Sequence, residues 1–257
     1  MIQTYRVAEA FSATRIYPLC FLIDMTDERY YTHFAAAVVR GGIMRRGLTH
    51  TVDPALLTTD LHDLTPEQCE ALMEVGREAE IKLYHFKRSD RTLPRVHKVL
   101  GFLKSIWFES LLDVGSGRGV FLLSFLETFP HIPVHSVEVW DKRATLLDDI
   151  AKGGVSRLTV TQDDVCTADL GEDVADVVTM LEVLEHIPDV EAAIRNAVRM
   201  ARSYVVVTVP SKEDDNPEHI HLLTKDKLTH YFHACGVTRL TFDGVPGHLF
   251  MIARIGD

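Results

Sequence analysis

Three stretches of the chain carry residue types able to do chemistry, at spacings that gather them. In Leu111-Leu112-Asp113-Val114-Gly115-Ser116-Gly117-Arg118-Gly119 an apolar run leads into three alternate glycines. Glycine turns the backbone at positive φ and leaves it bare for a ligand to lie against. A strand, such a turn and a helix in succession mark the carboxyl end of a strand, where open α/β sheets bind ligands. In Ser136-Val137-Glu138-Val139 a carboxylate ends the next apolar run; placed there it takes both hydroxyls of a ribose, as any adenosine-containing ligand requires. In Leu181-Glu182-Val183-Leu184-Glu185-His186-Ile187-Pro188 two carboxylates and an imidazole follow a strand. Spacings of three and four share one face of a helical turn, and this donor set suits a divalent cation with oxygen and nitrogen ligands. A further imidazole comes from His219 or His221 in Asn216-Pro217-Glu218-His219-Ile220-His221-Leu222. Without a cation, Glu185 and His186 orient their loop by hydrogen bonds, and the later histidine is a base, a substrate contact or a helix-start residue.

The glycine turn has two competing readings. A dinucleotide turn, G-x-G-x-x-G/A, wants its third small residue at position 120, but the chain has Val120, with glycine one place early at 119. That disfavours a dehydrogenase. A tight turn that binds nothing would not need glycine at 115, 117 and 119 together.

Residues that converge in this way must be held by alternating strands and helices. From Pro94 onward apolar strand-like runs at 110–114, 134–139, 157–161, 175–181, 204–209, 238–242 and 248–254 are separated by helical patterns at 119–129, 142–151, 190–201 and 225–234, with a further helix at 95–106 ahead of the first strand. Alternation of this kind predicts an α/β fold with a doubly wound, mostly parallel, seven-stranded sheet. The turn Asp243-Gly244-Val245-Pro246-Gly247 predicts a closing hairpin, which would make one edge strand antiparallel. Before residue 92 the chain reads as helices, around 27–40 and 65–84. Thr65-Pro66-Glu67-Gln68 is a strong helix start, with Thr65 as cap and Pro66 at the first helical position. The polar, proline-marked segment 89–94 divides an N-terminal helical extension, 1–92, from a ligand-binding domain, 93–257.

Composition bounds the function. The 257 residues are 46% hydrophobic and 25% charged, with net charge −10, so a sizeable core is available. A polyelectrolyte binder of nucleic acid needs a basic footprint that this balance lacks. Neither a signal peptide nor an apolar run of membrane-spanning length is visible. Cys20, Cys69, Cys166 and Cys235 are scattered, as in a reduced, cytoplasmic protein.

The glycine stretch 112–119 resembles the first motif of class I S-adenosylmethionine (SAM) methyltransferases, and the resemblance extends over about residues 95–257. It implies the Rossmann-like methyltransferase fold and SAM as cofactor. It places Asp113, Gly115, Gly117 and Gly119 at the methionine end and Glu138 on the ribose. In Gln162-Asp163-Asp164-Val165 it gives Asp164 and Val165 to the adenine, Asp163 being the alternative acceptor. The segment 176–189 resembles the acidic-histidine motif of small-molecule methyltransferases, O-methyltransferases among them, and of enzymes that methylate RNA 3′ ends at the 2′-hydroxyl. By that likeness Glu182 approaches SAM, Glu182, His186 and His221 are the catalytic candidates, and Glu182, Glu185, His186 and His221 would hold Mg²⁺ or another divalent cation. The expected reaction is methylation of a small-molecule acceptor at oxygen. A metal-dependent RNA 2′-O-methyltransferase and a non-catalytic SAM-binding interaction module are the alternatives. Three successive acids, Glu213-Asp214-Asp215, would repel phosphate and count against the RNA acceptor.

No resemblance covers residues 1–92. Lys82-Leu83-Tyr84-His85-Phe86-Lys87-Arg88 mixes aromatics and cations as a lid over SAM or an anionic substrate would. The aromatics of 27–34 read as core, and Arg40, Arg45 and Arg46 as a solvated basic patch.

Overall fold

Seven strands form one sheet in the computed structural model, which describes residues 29–83 and 86–256. They are β1 (Leu111–Val114), β2 (Val134–Val137), β3 (Leu158–Thr161), β4 (Ala175–Leu181), β5 (Ala201–Pro210), β6 (Arg239–Val245) and β7 (His248–Arg254), in the order β3-β2-β1-β4-β5-β7-β6. All four residues of β1 are buried. A parallel strand covered on both faces needs such a continuous apolar run, not alternation. Val114 stands opposite both Val137 and Met180, and Leu181 opposite Thr208, so the carboxyl ends of β1, β2, β4 and β5 meet at one edge.

The sequence reading put the antiparallel strand at the sheet's edge. Instead β7 is antiparallel to both neighbours, between β5 and β6, and β6 is the edge. The long connection after β5 carries the chain past one strand position, and the tight turn after β6 can only fold β7 back into the gap.

The helices of the described residues are α1 (Thr32–Arg45), α2 (Pro54–Thr58), α3 (Pro66–Glu78), α4 (Pro94–Leu103), α5 (Leu122–Thr128), α6 (Asp141–Lys152), α7 (Val190–Met200) and α8 (Lys225–Ala234). On one face of the sheet Leu111, Val134 and Val177 pack with α1 and α3–α6; on the other, Leu112, Val137 and Val178 pack with α7 and α8. The two-residue strand period sorts neighbours onto opposite faces.

α3 begins as the sequence predicts: the Gln68 N–H donates to Thr65 Oγ1, and the Thr65 N–H donates to Gln68 Oε1 at 2.9 Å. α1 starts later than expected, because Tyr31 N–H donates to Phe86 O (2.8 Å) and Arg88 N–H to Arg29 O (2.7 Å), holding that stretch extended. From Phe34 to Ile43 every α1 residue is buried, so the helix has no solvated face. It lies backbone to backbone on α6: a Cβ on Gly153 would sit 1.8 Å from Ala37 O, and one on Gly41 would sit 2.0 Å from Asp149 O. Of the expected basic patch, Arg45 and Arg46 are exposed and Arg40 is not. Arg40 is buried and donates to Leu56 O (2.6 Å), Arg45 makes a two-point contact with Asp149 at 2.9 and 2.8 Å, and Arg46 donates to Ala79 O.

A polar knot ties the N-terminal segment to α5. The Tyr31 hydroxyl meets Ser124 Oγ at 2.9 Å, and Ser124 Oγ meets Ser89 Oγ at 2.7 Å. Burial pushes Tyr31 up to about 12. Glu127 accepts from His33 (3.1 Å) and Arg88 (3.0 Å), which together hold its carboxyl down at about 2, His33 contributing most. Tyr31 and Phe34 are core, as read from the sequence. Of the 82–88 segment, Phe86 is buried and Arg88 lies over the Tyr31 ring; Tyr84 and His85 lie outside the described residues, as do Asp27 and Glu28.

Candidate functional site

β1 delivers the chain into the glycine turn. Gly115 has φ +66° and donates its N–H to Val137 O at 2.7 Å, and a Cβ there would sit 2.7 Å from Val183 Cγ2. Only glycine satisfies both conditions. Gly117, at φ +60°, aims its N–H at Glu138 Oε2 (2.7 Å), and the Trp140 N–H donates to Glu138 Oε1 (3.0 Å). Glu138 is 1% exposed. Two backbone donors thus fix both oxygens of a buried carboxylate, and each oxygen keeps a lone pair for a further hydroxyl donor.

Asp113, beneath the turn, accepts the Ser116 and Thr179 hydroxyls, each at 2.6 Å. Burial raises its carboxyl to about 6, against those two bonds, and Glu138 adds to the rise. Ser116 Oγ also meets Ser136 Oγ at 2.8 Å. A cleft of about 170 Å³ opens here, its walls including Arg95, Asp113, Gly115, Gly117, Arg143 and Glu182.

Glu182 adopts φ +58°, a left-handed conformation that costs a non-glycine residue roughly 1–2 kcal/mol. Three contacts hold it. Thr208 Oγ1 donates to Oε1 at 2.9 Å, His248 Nε2 lies 2.9 Å from Oε2, and Arg95 Nε is 4.0 Å away. Such strain persists where the surroundings over-determine it, typically at functional sites.

A single helical turn, Leu184–His186, then buries Glu185. It is 0% exposed and neither carboxyl oxygen has a hydrogen-bond partner. Burial pushes it up to about 8, with Glu182 and Asp214 adding to the rise. Ligand atoms of Glu185, His186 and His219 lie within 4.8 Å of one another. His186 Nδ1 is 3.0 Å from Glu218 O, and His219 Nδ1 is 2.8 Å from Asp214 Oδ2. Each Nδ1–H is thereby spoken for, leaving Nε2 as a lone-pair donor or proton acceptor.

The predicted metal set is only partly gathered. Glu185 and His186 meet, and His219 joins them. His221 does not belong to the cluster, and its Nε2 is buried without a partner. Glu182 is not in the cluster either; its carboxylate oxygens meet Thr208 and His248. Gly119 sits at φ +80° ahead of α5. Asp164 is exposed on the loop after β3, with Oδ1 accepting from Cys166 N at 2.9 Å, and Val165 is buried beneath it.

Two features escaped the sequence reading. His248 comes from the far end of the chain, and no local spacing marks it. Trp140 is 61% exposed beside exposed Val139, immediately after Glu138, with Arg143 5.9 Å from its ring; a large apolar residue two places after Glu138 was its signal.

Residues 84–241 match the family described as "Methyltransferase domain", and the chain belongs to that family. It is a class I SAM-dependent methyltransferase, and the glycine cradle and the buried Glu138 carboxylate fit the cofactor's nucleoside. Similar folds occur in a SAM-dependent methyltransferase from Aquifex aeolicus (18% identity, 65% of this chain and 93% of that one, TM-score 0.55). They occur also in the N-terminal domain of EvdMO1 with S-adenosylhomocysteine and D-fucose (14%, 64% and 84%, TM-score 0.52). An O-methyltransferase family protein from Burkholderia thailandensis is alike over 85% of this chain and 72% of its own (14%, TM-score 0.52). At these identities the likeness is one of fold. No curated protein matches the chain. Among the described residues, no helix is long and apolar enough to cross a membrane.

Proposed function

We propose that the chain moves the methyl group of SAM to a hydroxyl oxygen of a small-molecule acceptor. The observation that carries this reading is the group Glu185, His186 and His219, with Asp214 behind His219. An amine or carbon nucleophile needs little help beyond alignment, whereas a hydroxyl must shed its proton as the new C–O bond forms. His219 Nε2 would accept that proton, and Asp214 would stabilise the resulting imidazolium. The S–CH₃ bond breaks with its electron pair left on sulfur, releasing S-adenosylhomocysteine. Alignment of donor and acceptor supplies most of the rate, roughly 7–11 kcal/mol.

On this reading Gly115, Gly117 and Glu138 hold the cofactor, with Asp164 and Val165 at the adenine, and Glu182 sits between the cofactor cleft and the acceptor. Glu213, Asp214 and Asp215 oppose a polyphosphate acceptor and favour a small one.

A second reading rests on the unpartnered oxygens of Glu185. Glu185, His186 and His219 would hold a divalent cation, and two imidazoles with one carboxylate suit zinc or manganese better than magnesium. Bound there, a cation would lower the pKa of a coordinated hydroxyl.

The test is calorimetry with SAM and S-adenosylhomocysteine, with EDTA or with added Mg²⁺ or Zn²⁺, followed by an alcohol and phenol screen for S-adenosylhomocysteine release. We expect cofactor binding, and turnover that His219→Ala lowers about 10²–10⁴-fold. Failure to bind either cofactor form would refute the reading. Turnover abolished by EDTA and restored by one metal would select the cation, while EDTA-indifferent turnover selects the base.

A further inference from the structure

A second, larger groove of about 820 Å³ lies beside α4, lined by residues 90–94, His97, Lys98, Lys104 and the β6–β7 turn at 244–246. Its volume falls within the range of small-ligand sites, roughly 300–1,000 Å³. Its charge is opposite to that of the molecule. Residues 82–104 hold seven Lys and Arg against one acid, Asp90, in a chain of net charge −10. Some of these cations are neutralised: Arg88 by Glu127, and Lys98 by Asp243. Arg95 lies 4.0 Å from Glu182. Arg91 and Lys104 are exposed and have no ion-pair partner among the described residues. The Oδ1 atom of Asp90 is buried without a hydrogen-bond partner, so the groove also offers one acceptor for a ligand N–H or O–H.

The groove adjoins the glycine-turn cleft through neighbouring residues of α4, without a lining residue in common. Arg95, in the first turn of α4, lines the cleft, while Pro94, His97 and Lys98 line the groove. His248, two residues beyond the groove's Pro246, reaches Glu182 at 2.9 Å. A molecule held at the 244–246 end of the groove would therefore approach Glu182, on the same edge of the sheet as the glycine turn.

We propose that this groove binds an oxyanion, carboxylate or phosphate, carried by the methyl acceptor, with Arg91 and Lys104 as its counter-charges. The proposal rests on the methyl-transfer reading above and adds the acceptor's chemical class. The acids at 213–215 lie on the β5 loop and the cations beside α4. This separation of charge orients an acceptor with its anion in the groove and its hydroxyl toward the His219 side. A polynucleotide would have to lay further phosphates against those acids, which disfavours it.

The test titrates the full chain, with and without S-adenosylhomocysteine, with phenyl phosphate, benzoate and neutral phenol. We expect both anions to bind at least tenfold more tightly than phenol, the tighter of the two identifying the oxyanion. The double variant Arg91→Glu/Lys104→Glu should weaken anion binding at least tenfold, with the thermal midpoint and the S-adenosylhomocysteine affinity reporting that the fold is intact. Equal binding of phenol and the anions, or anion binding unchanged in the double variant, would overturn the proposal. So would a single-stranded RNA oligomer that binds the parent and not the double variant where neither small anion binds. S-adenosylhomocysteine failing to bind the parent would strike the methyl-transfer reading, which the anion titration of the same sample reads separately.

Discussion

Replacing Glu185 by Gln isolates the electrostatic cost of a buried carboxyl with no partner. Burial raises this group from the ordinary 4.5 to about 8. The folded chain then holds a proton that the unfolded chain releases near pH 4.5, so the contribution to stability is complete below that pH. It is lost as pH rises through about 8. Each unit is worth about 1.4 kcal/mol. Roughly 3 kcal/mol of stability should therefore disappear between about pH 5 and pH 8 through this residue. Glu185→Gln keeps the shape and cannot ionise. It adds a pH-independent offset, because the buried amide also needs partners, but it removes that slope. Asp113, raised to about 6, titrates in both proteins and subtracts out. The assay is urea unfolding in EDTA at half-unit pH intervals, with the two stability curves subtracted. A difference that stays flat from pH 5 to 8 would show that Glu185 is solvated or hydrogen-bonded, and would refute the reasoning. Repeating the series with Zn²⁺ should flatten the parent curve if Glu185, His186 and His219 bind a cation, since the ion stabilises the carboxylate.

Glu138→Ala should weaken S-adenosylhomocysteine binding by tenfold or more in calorimetry, as two hydrogen bonds to a charged group are worth roughly 1.5–3 kcal/mol each. Gly153→Ala would push a methyl group to within 1.8 Å of Ala37 O, and thermal unfolding should show a loss of at least about 1–3 kcal/mol. Glu127 is held down at about 2, so its contribution is present above about pH 4.5 and is lost as pH falls toward 2. After allowance for partial exposure, Glu127→Gln should remove about 2 kcal/mol of acid-sensitive stability, read as a shallower fall in unfolding free energy between about pH 5 and 3.

The glycine turn and Glu138 were written locally, and for that reason they were legible. Gly115, Gly117 and Glu138 each follow a strand directly, so their types and offsets in the sequence already place them at one sheet edge. The β4 strand and α8 match their expected bounds because apolar periodicity and the Thr224 cap sit within a few residues of each other. The cluster around Glu185 depends on contacts between distant segments. Nothing near residue 248 announces that His248 will meet Glu182, and nothing around Asn216 separates His219 from His221, since both lie on one irregular loop whose path is set by Ile220 N–H donating to Glu185 O. Arg40 was misread as solvated for the same reason. Its partner, Leu56 O, lies 16 residues away. The place of β7 followed from which strand the long connection skips, a matter of topology that hydrophobic pattern does not encode.

The backbone contact between α1 and α6 has a consequence for how this enzyme can change over generations. α6 starts three residues after Glu138 and ends at Lys152, just before β3 and the Asp164 loop, so any shift of α6 disturbs two parts of the proposed nucleoside site at once. α1 clamps it through two places where even a methyl group cannot fit. Across the sheet, β6 is an edge strand with mostly exposed or half-buried side chains, and the 211–223 loop has no comparable clamp among the described residues. Substitutions accumulate cheaply there and dearly around α1. On the methyl-transfer reading proposed above, a lineage built on this plan would exchange one acceptor for another while the proposed nucleoside half stays as it was, and grafting loops from 211–223 and 244–247 would be a laboratory route to the same end.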